Sequence, residues 1–362
     1  MIATVSRLEG ENKPLTSIRG VAAMWVVLDH FPGSKGVFTT FSDYGYASVN
    51  LFFILSGLIL AHVYRDLSRP GVPMFFLRRA CRLYPLHIVS SLALLVILVL
   101  TDRTILDSRP IDFAAALLLI HPFVPEPAIA VANPPSWSIG IELACYLAFP
   151  VLIATLRPLR SRFAQVALVA LLLVAEALVQ IRYSGEIRGI GALARGFAGF
   201  LLGMAIWRLA SQMRVGTTLL TIGEAASLGG ALAAGFLGRA ELVPLFFALL
   251  LFCLFFDAGA VARLLRRPFW LWLGHISFSI YLVHFLVISV AITWLPARLM
   301  PIHGGIGRTL WDLLLIAAVL GFSHLTYRLI EVPGRRIPNA LMRRRYERPA
   351  APVRQEGEPA NP

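Results

Sequence analysis

The stretch that decides the fold is residues 15–30, Leu15-Thr-Ser-Ile-Arg-Gly-Val-Ala-Ala-Met-Trp-Val-Val-Leu-Asp-His30, an apolar segment that carries an arginine and a histidine. Arg19 and His30 are eleven positions apart, almost three helical turns, so both lie on one helix face about 16 Å apart along the axis. An ionisable group in hydrocarbon costs at least about 2.5 kcal/mol, so a membrane helix that carries two of them usually contains a functional site. The segment therefore predicts a membrane enzyme or transporter.

The rest of the chain has the same apolar character. Its 362 residues are 57% hydrophobic with a mean hydropathy of +0.73, and apolar runs alternate with short arginine-rich connections. This pattern predicts an all-α polytopic membrane protein with about ten transmembrane helices. The ten predicted spans are residues 16–32, 46–64, 84–101, 136–156, 163–181, 189–207, 215–236, 242–257, 270–297 and 309–329. The apolar stretch Ile111–Val124 has only 14 residues and is interpreted as a short re-entrant or interfacial helix.

The net charge of +13 concentrates in alternate connections. Basic loops stay in the cytoplasm, so this distribution predicts a multi-pass protein of the inner (plasma) membrane with both termini cytoplasmic. An eleven-span alternative would place Arg157, Arg160 and Arg162 outside. The charge is thus assigned to topology and the lipid bilayer, and no nucleic-acid partner is expected. The predicted divisions are a cytoplasmic segment 1–15, a transmembrane domain 16–334 and a basic, disordered cytoplasmic tail 335–362.

His30 is the first candidate catalytic residue. A neutral imidazole can accept a proton from an alcohol near neutral pH, which is the task of a general base. The structural alternative is a histidine that is bonded to a neighbouring carbonyl or to Asp29.

Arg79 and Arg82 stand one helical turn apart in Arg78-Arg-Ala-Cys-Arg-Leu-Tyr-Pro85, at a predicted cytoplasmic boundary. Such a pair can bind phosphates through paired hydrogen bonds. The alternative is simple topological anchoring.

Of the residues in its predicted span, Glu142 costs the most free energy to place in the membrane. Ser138, Glu142 and Tyr146 recur at every fourth position, so they line one helix face next to Trp137. From its position in the span, Glu142 is expected at a depth close to that of His30. The alternative is a structural partner for another buried polar group.

Three further residues are candidates for a substrate channel. Ser56 precedes Gly57, and this small pair permits close helix approach or a helix break. Tyr281 and His284 lie on one long C-terminal span. The cysteines at 81, 145 and 253 have no pairing or metal-ligand spacing, so neither a disulfide framework nor a metal site is predicted.

Taken in chain order, these segments resemble the integral-membrane acyltransferase 3 family, whose members often O-acetylate bacterial surface sugars. The resemblance covers the chain from Leu15 to Pro333. Six blocks carry it: Ser17-Ile-Arg-Gly20 with the later His30, Phe52-Phe-Ile-Leu-Ser-Gly57, Arg79 and Arg82 before Tyr84-Pro85, Trp137-Ser138 with Glu142 and Tyr146, Ser279-Ile-Tyr-Leu-Val-His284, and Tyr327-Arg-Leu-Ile-Glu-Val-Pro333.

The resemblance implies an acyl-CoA donor, usually acetyl-CoA, as a substrate rather than a permanently bound cofactor. The implied acceptor is a hydroxyl of a glycan, a lipid-linked sugar or another hydroxylated metabolite. His30 matches the essential histidine of the family, Arg19 the arginine before it, and Glu142 the intramembrane glutamate. Arg79 and Arg82 match the pair implicated in donor binding. The sequence departs from the family pattern at Thr16-Ser17, Asn50 and Phe278, so no particular substrate is inherited.

The expected mechanism is direct acyl transfer. His30 would remove the proton of the acceptor hydroxyl, and Arg19 would hold donor phosphates or offset charge on the carbonyl oxygen. Glu142 would orient or stabilise the imidazolium. An acyl-enzyme through Ser138 or Ser56 is the alternative chemistry. The alternative functions are a proton-coupled secondary transporter of a small polar metabolite and, third, a membrane scaffold without catalytic activity.

Overall fold

The computed structural model describes residues 2–4, 11–31, 45–101, 108–124, 133–294 and 306–346, which are almost entirely helical. The helices are α1 Lys13–Asp29, α2 Ser48–Val63, α3 Val72–Thr101, α4 Pro110–Leu117, α5 Ser136–Leu156, α6 Arg162–Tyr183, α7 Gly189–Ala210, α8 Thr217–Phe236, α9 Val243–Phe255, α10 Ala260–Leu265, α11 Pro268–His275, α12 Ser277–Trp294, α13 Ile306–Thr326 and α14 Val332–Tyr346. A π-helical turn, Tyr327–Glu331, joins α13 to α14. Two short strands, β1 Ile2–Thr4 and β2 Arg214–Gly216, pair antiparallel.

The all-α polytopic class is confirmed. In the described part of the chain, 7 helical segments are long and apolar enough to cross a membrane, and α2 and α9 are shorter apolar helices. Each of the ten predicted spans has a helical counterpart, the first being α1. The predicted short element at 111–124 corresponds to α4 followed by a 3₁₀ turn, His121–Phe123.

Three boundaries differ from the prediction. α3 starts at Val72 rather than 84 and contains Pro85. The predicted span 270–297 is divided at Ile276 into α11 and α12. α14 continues to Tyr346, so the first part of the predicted disordered tail is helical because α14 packs against α3. Residues 347–362 of that tail, and residues 1 and 5–10 of the predicted N-terminal segment, lie outside the described residues.

The contact between α2 and α7 is built on glycines. A β carbon on Gly57 would overlap the Phe200 carbonyl, and one on Gly203 would overlap the Ile54 carbonyl. Glycine therefore lets the two helices approach backbone to backbone, as small residues commonly do between membrane helices. Gly57 permits close approach without a break, since α2 is continuous. This packing fixes the position of Ser56, the neighbour of Gly57, which is partly buried.

Candidate active site

The main cavity of the described residues lies between α1, α2, α3, α5 and α12 and encloses about 720 Å³ of space, including the part open to solvent. It gathers most of the residues predicted from sequence, although these come from five separate helices. The predicted residues that line it are Arg19, Ser56, Arg79, Arg82, Ser138, Glu142, Tyr146 and Tyr281. Its remaining surface is largely apolar, with phenylalanine, leucine and isoleucine side chains.

Glu142 accepts two hydrogen bonds at the same oxygen. Ser56 Oγ donates to Glu142 Oε1 over 2.7 Å, and the Tyr146 hydroxyl donates to it over 2.5 Å. Tyr146 is one turn away on α5, as the sequence spacing predicts, while Ser56 comes from α2. Hydrogen bonds to a carboxylate are shorter and stronger than those between neutral groups, so this cluster holds α2 and α5 in register.

Arg79 is held by aromatic rings. Its guanidinium lies 5.5 Å from the ring centre of Tyr64 and 5.8 Å from that of Tyr146, and its Nη2 donates to the Tyr64 hydroxyl over 3.3 Å. Phe75, one turn earlier on α3, lies 5.9 Å from the same guanidinium. Cation–π contacts of this kind fix the direction of an arginine while leaving N–H groups for a ligand.

Arg19 and Arg82 face the cavity without a protein partner: within the described part of the chain, no hydrogen bond or ion pair engages either guanidinium. Arg19 feels the positive charge of Arg335 and the negative charges of Glu142 and Glu331. The charges that act on Arg82 are positive, from Arg19, Arg335 and Arg79. The site therefore combines four guanidinium groups with two carboxylates. This excess of positive charge, in a largely apolar surround, suits a ligand with several phosphate charges.

His30 lies apart from the cavity, at the C-terminal end of α1. Its Nδ1 is 2.9 Å from the Val26 carbonyl oxygen, and its ring centre is 5.0 Å from that of His284. The carbonyl contact assigns the proton to Nδ1, so Nε2 carries the lone pair that a general base needs. His30 and Glu142 share no hydrogen bond among the described contacts, so the predicted pairing of imidazole and carboxylate does not occur.

His284 is buried next to His30 and likewise directs Nδ1 at a backbone carbonyl, that of Ile280, at 3.0 Å. One turn earlier, the Tyr281 hydroxyl lies 2.7 Å from Ser138 Oγ, and both of these side chains line the cavity. The C-terminal pair predicted from sequence thus spans the distance between His30 and the cavity.

Trp137, predicted as a channel residue, does not reach the cavity that the described residues form. Its ring packs instead against the guanidinium of Arg195, 5.3 Å away. Arg195 is fully buried and donates to the Glu186 carbonyl over 2.6 Å and to Asn50 Oδ1 over 3.3 Å. Trp137 precedes Ser138 by about 100° around α5, and this rotation turns it from the cavity toward α7.

Arg335, the ion-pair partner of Glu331, was not predicted from the sequence. Arg328, three positions before Glu331, is a plausible helical partner, but Glu331 pairs with Arg335 instead. Ser279 Oγ donates to the other carboxylate oxygen over 2.8 Å. The π-helical turn that ends at Glu331 changes the register of its side chains, and π turns are frequent at functional sites. The Glu-x-x-x-Arg spacing is the signal that could have found this pair.

Among the residues that the structure describes, no group of three or more histidine, cysteine, aspartate and glutamate side chains could hold a metal ion. The three cysteines are free.

Comparison with known proteins agrees with a membrane acyltransferase. The chain matches the acyltransferase 3 family, described as "Acyltransferase domain", over residues 13–328, and it belongs to that family. It is 36% identical over 148 residues to Acyltransferase MdmB of Streptomyces mycarofaciens, a match that covers 38% of each chain. It is also 36% identical over 148 residues to Protein 2 in picA locus of Rhizobium radiobacter, covering 36% of this chain and 75% of the relative. The match thus spans well under half of the Streptomyces relative, and no solved structure matches this chain.

Proposed function

We propose that this membrane acyltransferase moves an acyl group, in the simplest case acetyl, from acyl-CoA to a hydroxyl of a glycan, a lipid-linked sugar or another hydroxylated metabolite. The observation that carries the proposal is the cavity where Arg19, Arg79 and Arg82 meet Glu142. Membership of an acyltransferase family favours this enzyme over the proton-coupled transporter that the sequence also permits.

The arginines bind the phosphates of CoA in this proposal. Arg19 and Arg82 have guanidinium groups without described hydrogen bonds, and arginine binds phosphate through two parallel N–H donors. Arg79, fixed by the rings of Tyr64 and Tyr146, supplies a third, oriented cation. The apolar part of the cavity then accommodates the pantetheine arm and the acyl chain.

His30 acts on the acceptor. Its Nε2 lone pair removes the hydroxyl proton as the oxygen attacks the thioester carbonyl, and the thiolate of CoA leaves. His30 is exposed in the structure, which allows a bulky acceptor to approach it. Glu142 has no contact with His30, so its proposed role is to hold Ser56 and Tyr146 and to balance the arginines rather than to orient the imidazole.

The orientation follows from the distribution of basic connections. We place the arginine-lined cavity toward the cytoplasm, where acyl-CoA is made, and His30 in the outer half of a bacterial inner membrane, with both termini cytoplasmic. The division into an N-terminal segment, a transmembrane domain and a basic tail is kept, except that residues 335–346 of the predicted tail belong to α14.

The experiment measures release of CoA from labelled acetyl-CoA by the purified protein in lipid nanodiscs, with a panel of glycan and small hydroxylated acceptors. We expect acceptor-dependent release in the wild type and a decrease of about 100- to 10,000-fold in His30→Ala, the usual contribution of a general base. CoA binding should be unchanged in this variant.

His62→Ala is the matched control. His62 lies on α2, contacts the ring of Phe255 and does not line the cavity, so its loss should leave transfer unchanged. Failure to detect CoA binding in the wild type, even at high donor concentration, would overturn the assignment of the donor and favour a transporter.

A further inference from the structure

Two imidazoles, His30 and His284, lie side by side with their ring centres 5.0 Å apart and their planes at 67°. Each places Nδ1 near the carbonyl oxygen four residues earlier on its own helix, Val26 for His30 and Ile280 for His284. In both rings, therefore, Nδ1 carries the proton and Nε2 carries the lone pair.

The Nε2 atom of His284 is buried and has no hydrogen-bond partner among the described residues. His284 itself is fully buried. Buried polar atoms without a partner are rare, and each calls for an explanation such as a catalytic role or a group that is bound only part of the time. The hydrogen bond to the Ile280 carbonyl uses only Nδ1, so it does not explain why Nε2 is buried without a partner.

The surroundings of His284 connect it to both parts of the site. His30 is on one side, while Tyr281, whose ring centre is 6.2 Å from that of His284, is on the other. The Tyr281 hydroxyl reaches the cavity and hydrogen-bonds with Ser138. Ring contacts therefore link His30 to His284 and His284 to Tyr281, and a hydrogen bond links Tyr281 to Ser138 at the cavity.

The proposed reaction requires a proton transfer that these residues can carry out. As the acceptor oxygen bonds to the acyl carbon and the carbon–sulfur bond breaks, His30 gains a proton and the departing CoA becomes a thiolate. The thiolate needs one proton and His30 must lose one, so the complete reaction neither gains nor releases protons. His30, however, does not line the cavity that we assign to the donor.

We propose, on the basis of the proposed function, that His284 is a positioning residue that relays this proton from His30 to the cavity. His284 Nε2 accepts the proton from His30. Tyr281 then gives its hydroxyl proton to the thiolate and regains one from His284. The products are the ester and CoA as a free thiol, and both histidines and Tyr281 return to their starting protonation states.

Other ionisable groups do not compete for this role. The helices packed against α12 are α1, α3, α11 and α13, with α14 and the π-helical turn beside α3. Their ionisable groups, with Tyr281 on α12 itself, are Lys13, Arg19, Asp29, His30, Arg78, Arg79, Cys81, Arg82, Tyr84, His87, His275, Arg308, Asp312, His324, Tyr327, Arg328, Glu331, Arg335 and Arg336. Of these side chains, only His30 acts electrostatically on His284.

The test is His284→Asn. The asparagine amide can still donate to the Ile280 carbonyl, but it has no counterpart of Nε2. We expect the kcat of acceptor-dependent transfer to decrease by at least about 100-fold, in the range of acid–base catalysis, with the KM for acetyl-CoA within twofold of the wild type. The lost rate should return in proportion to added imidazole, which can carry the proton instead.

His87→Asn is the matched control. His87 is also fully buried, but both of its ring nitrogens have partners, the Ala116 carbonyl and Ser91. We expect no dependence on imidazole and a wild-type pH profile. A His284→Asn variant with wild-type kcat and pH profile would overturn the relay.

A second measurement needs neither a variant nor turnover. In the wild type labelled with ¹⁵N-histidine, the ¹⁵N NMR chemical shifts of the His284 ring should show a proton on Nδ1 and none on Nε2. A proton on Nε2 would overturn the proposal, whatever the activity. If the wild type transfers no acetyl group to any acceptor, the proposed function fails, and the ¹⁵N shifts still decide the state of the histidine pair.

Discussion

Replacement of Arg82 by glutamine tests whether this arginine binds a ligand or stabilises the fold. Within the described residues, Arg82 makes no hydrogen bond, and the charged groups that act on it are the arginines Arg19, Arg335 and Arg79. In the protein without donor, these like charges repel one another. Arg82→Gln relieves that repulsion, so we expect the free energy of unfolding to stay the same or to rise.

The same substitution should weaken donor binding. A hydrogen bond to a charged group contributes about 1.5–3 kcal/mol, and each 1.4 kcal/mol changes a dissociation constant about tenfold. If Arg82 binds one phosphate of CoA, the Kd should therefore rise about 10- to 100-fold. The loss should be smaller at high salt, where screening already weakens the contact.

The assay is isothermal titration of the protein in nanodiscs with CoA, together with thermal unfolding followed by tryptophan fluorescence. Arg78→Gln is the matched control, because Arg78 is an exposed arginine on the same turns of α3 and lies outside the cavity lining. It should leave the Kd unchanged within about twofold. An Arg82→Gln protein with wild-type Kd, or one that loses stability, would refute the assignment of Arg82 to the donor.

Three further substitutions have expected effects on stability. Arg195→Gln should lower the free energy of unfolding by at least about 1.5 kcal/mol for each hydrogen bond lost, without a change in the Kd for CoA; the unfolding midpoint and the titration check this. Gly203→Ala should cost about 1–3 kcal/mol because a β carbon overlaps a carbonyl of α2, whereas Gly229→Ala, with open space at the β position, should not destabilise in the same thermal scan. Tyr146→Phe removes one of the two donors to Glu142, and a double-mutant cycle with Glu142→Gln should give a coupling of about 0.5–3 kcal/mol; additive effects would contradict the shared hydrogen bond.

Hydropathy was enough to predict the spans but not their ends. The first three turns of α3 contain Arg78, Arg79 and Arg82, and these charges exclude them from any apolar run. The structure continues the helix back to Val72 because Arg79 and Arg82 face a protein cavity rather than lipid. A sequence window averages over both faces of a helix and does not distinguish these environments.

The buried charge of Arg195 could have been predicted from the sequence. It lies inside the predicted span 189–207, so the cost argument that singles out Arg19 applies to it equally. Its partner Asn50 is 145 positions away in the chain. A single sequence therefore marks the buried charge, but only the packing of α2 against α7 identifies what satisfies it.

His30 and Glu142 were expected to lie in contact, and they do not, for a geometric reason. Their positions along their helices predict similar depths in the membrane, but depth says nothing about which neighbours lie between two helices. In the structure, Glu142 Oε1 is taken by Ser56 and Tyr146, while His30 contacts His284. On α5 the helical period places Ser138, Glu142 and Tyr146 on the face that lines the cavity, but it does not determine the lateral order of the helices.

α1 determines how the two parts of the site must work together. Its 17 residues carry Arg19 at the cavity, and His30 follows directly after its last residue. The two side chains are fixed about 16 Å apart along one helix. A donor whose phosphates bind Arg19 must therefore extend its pantetheine arm along α1 to bring the thioester toward the acceptor. In the proposed function, Arg19 binds the donor phosphates and His30 binds the acceptor, and the same rigid helix sets their separation. This separation would suit a donor with a long arm between phosphate and sulfur, which is the architecture of acyl-CoA.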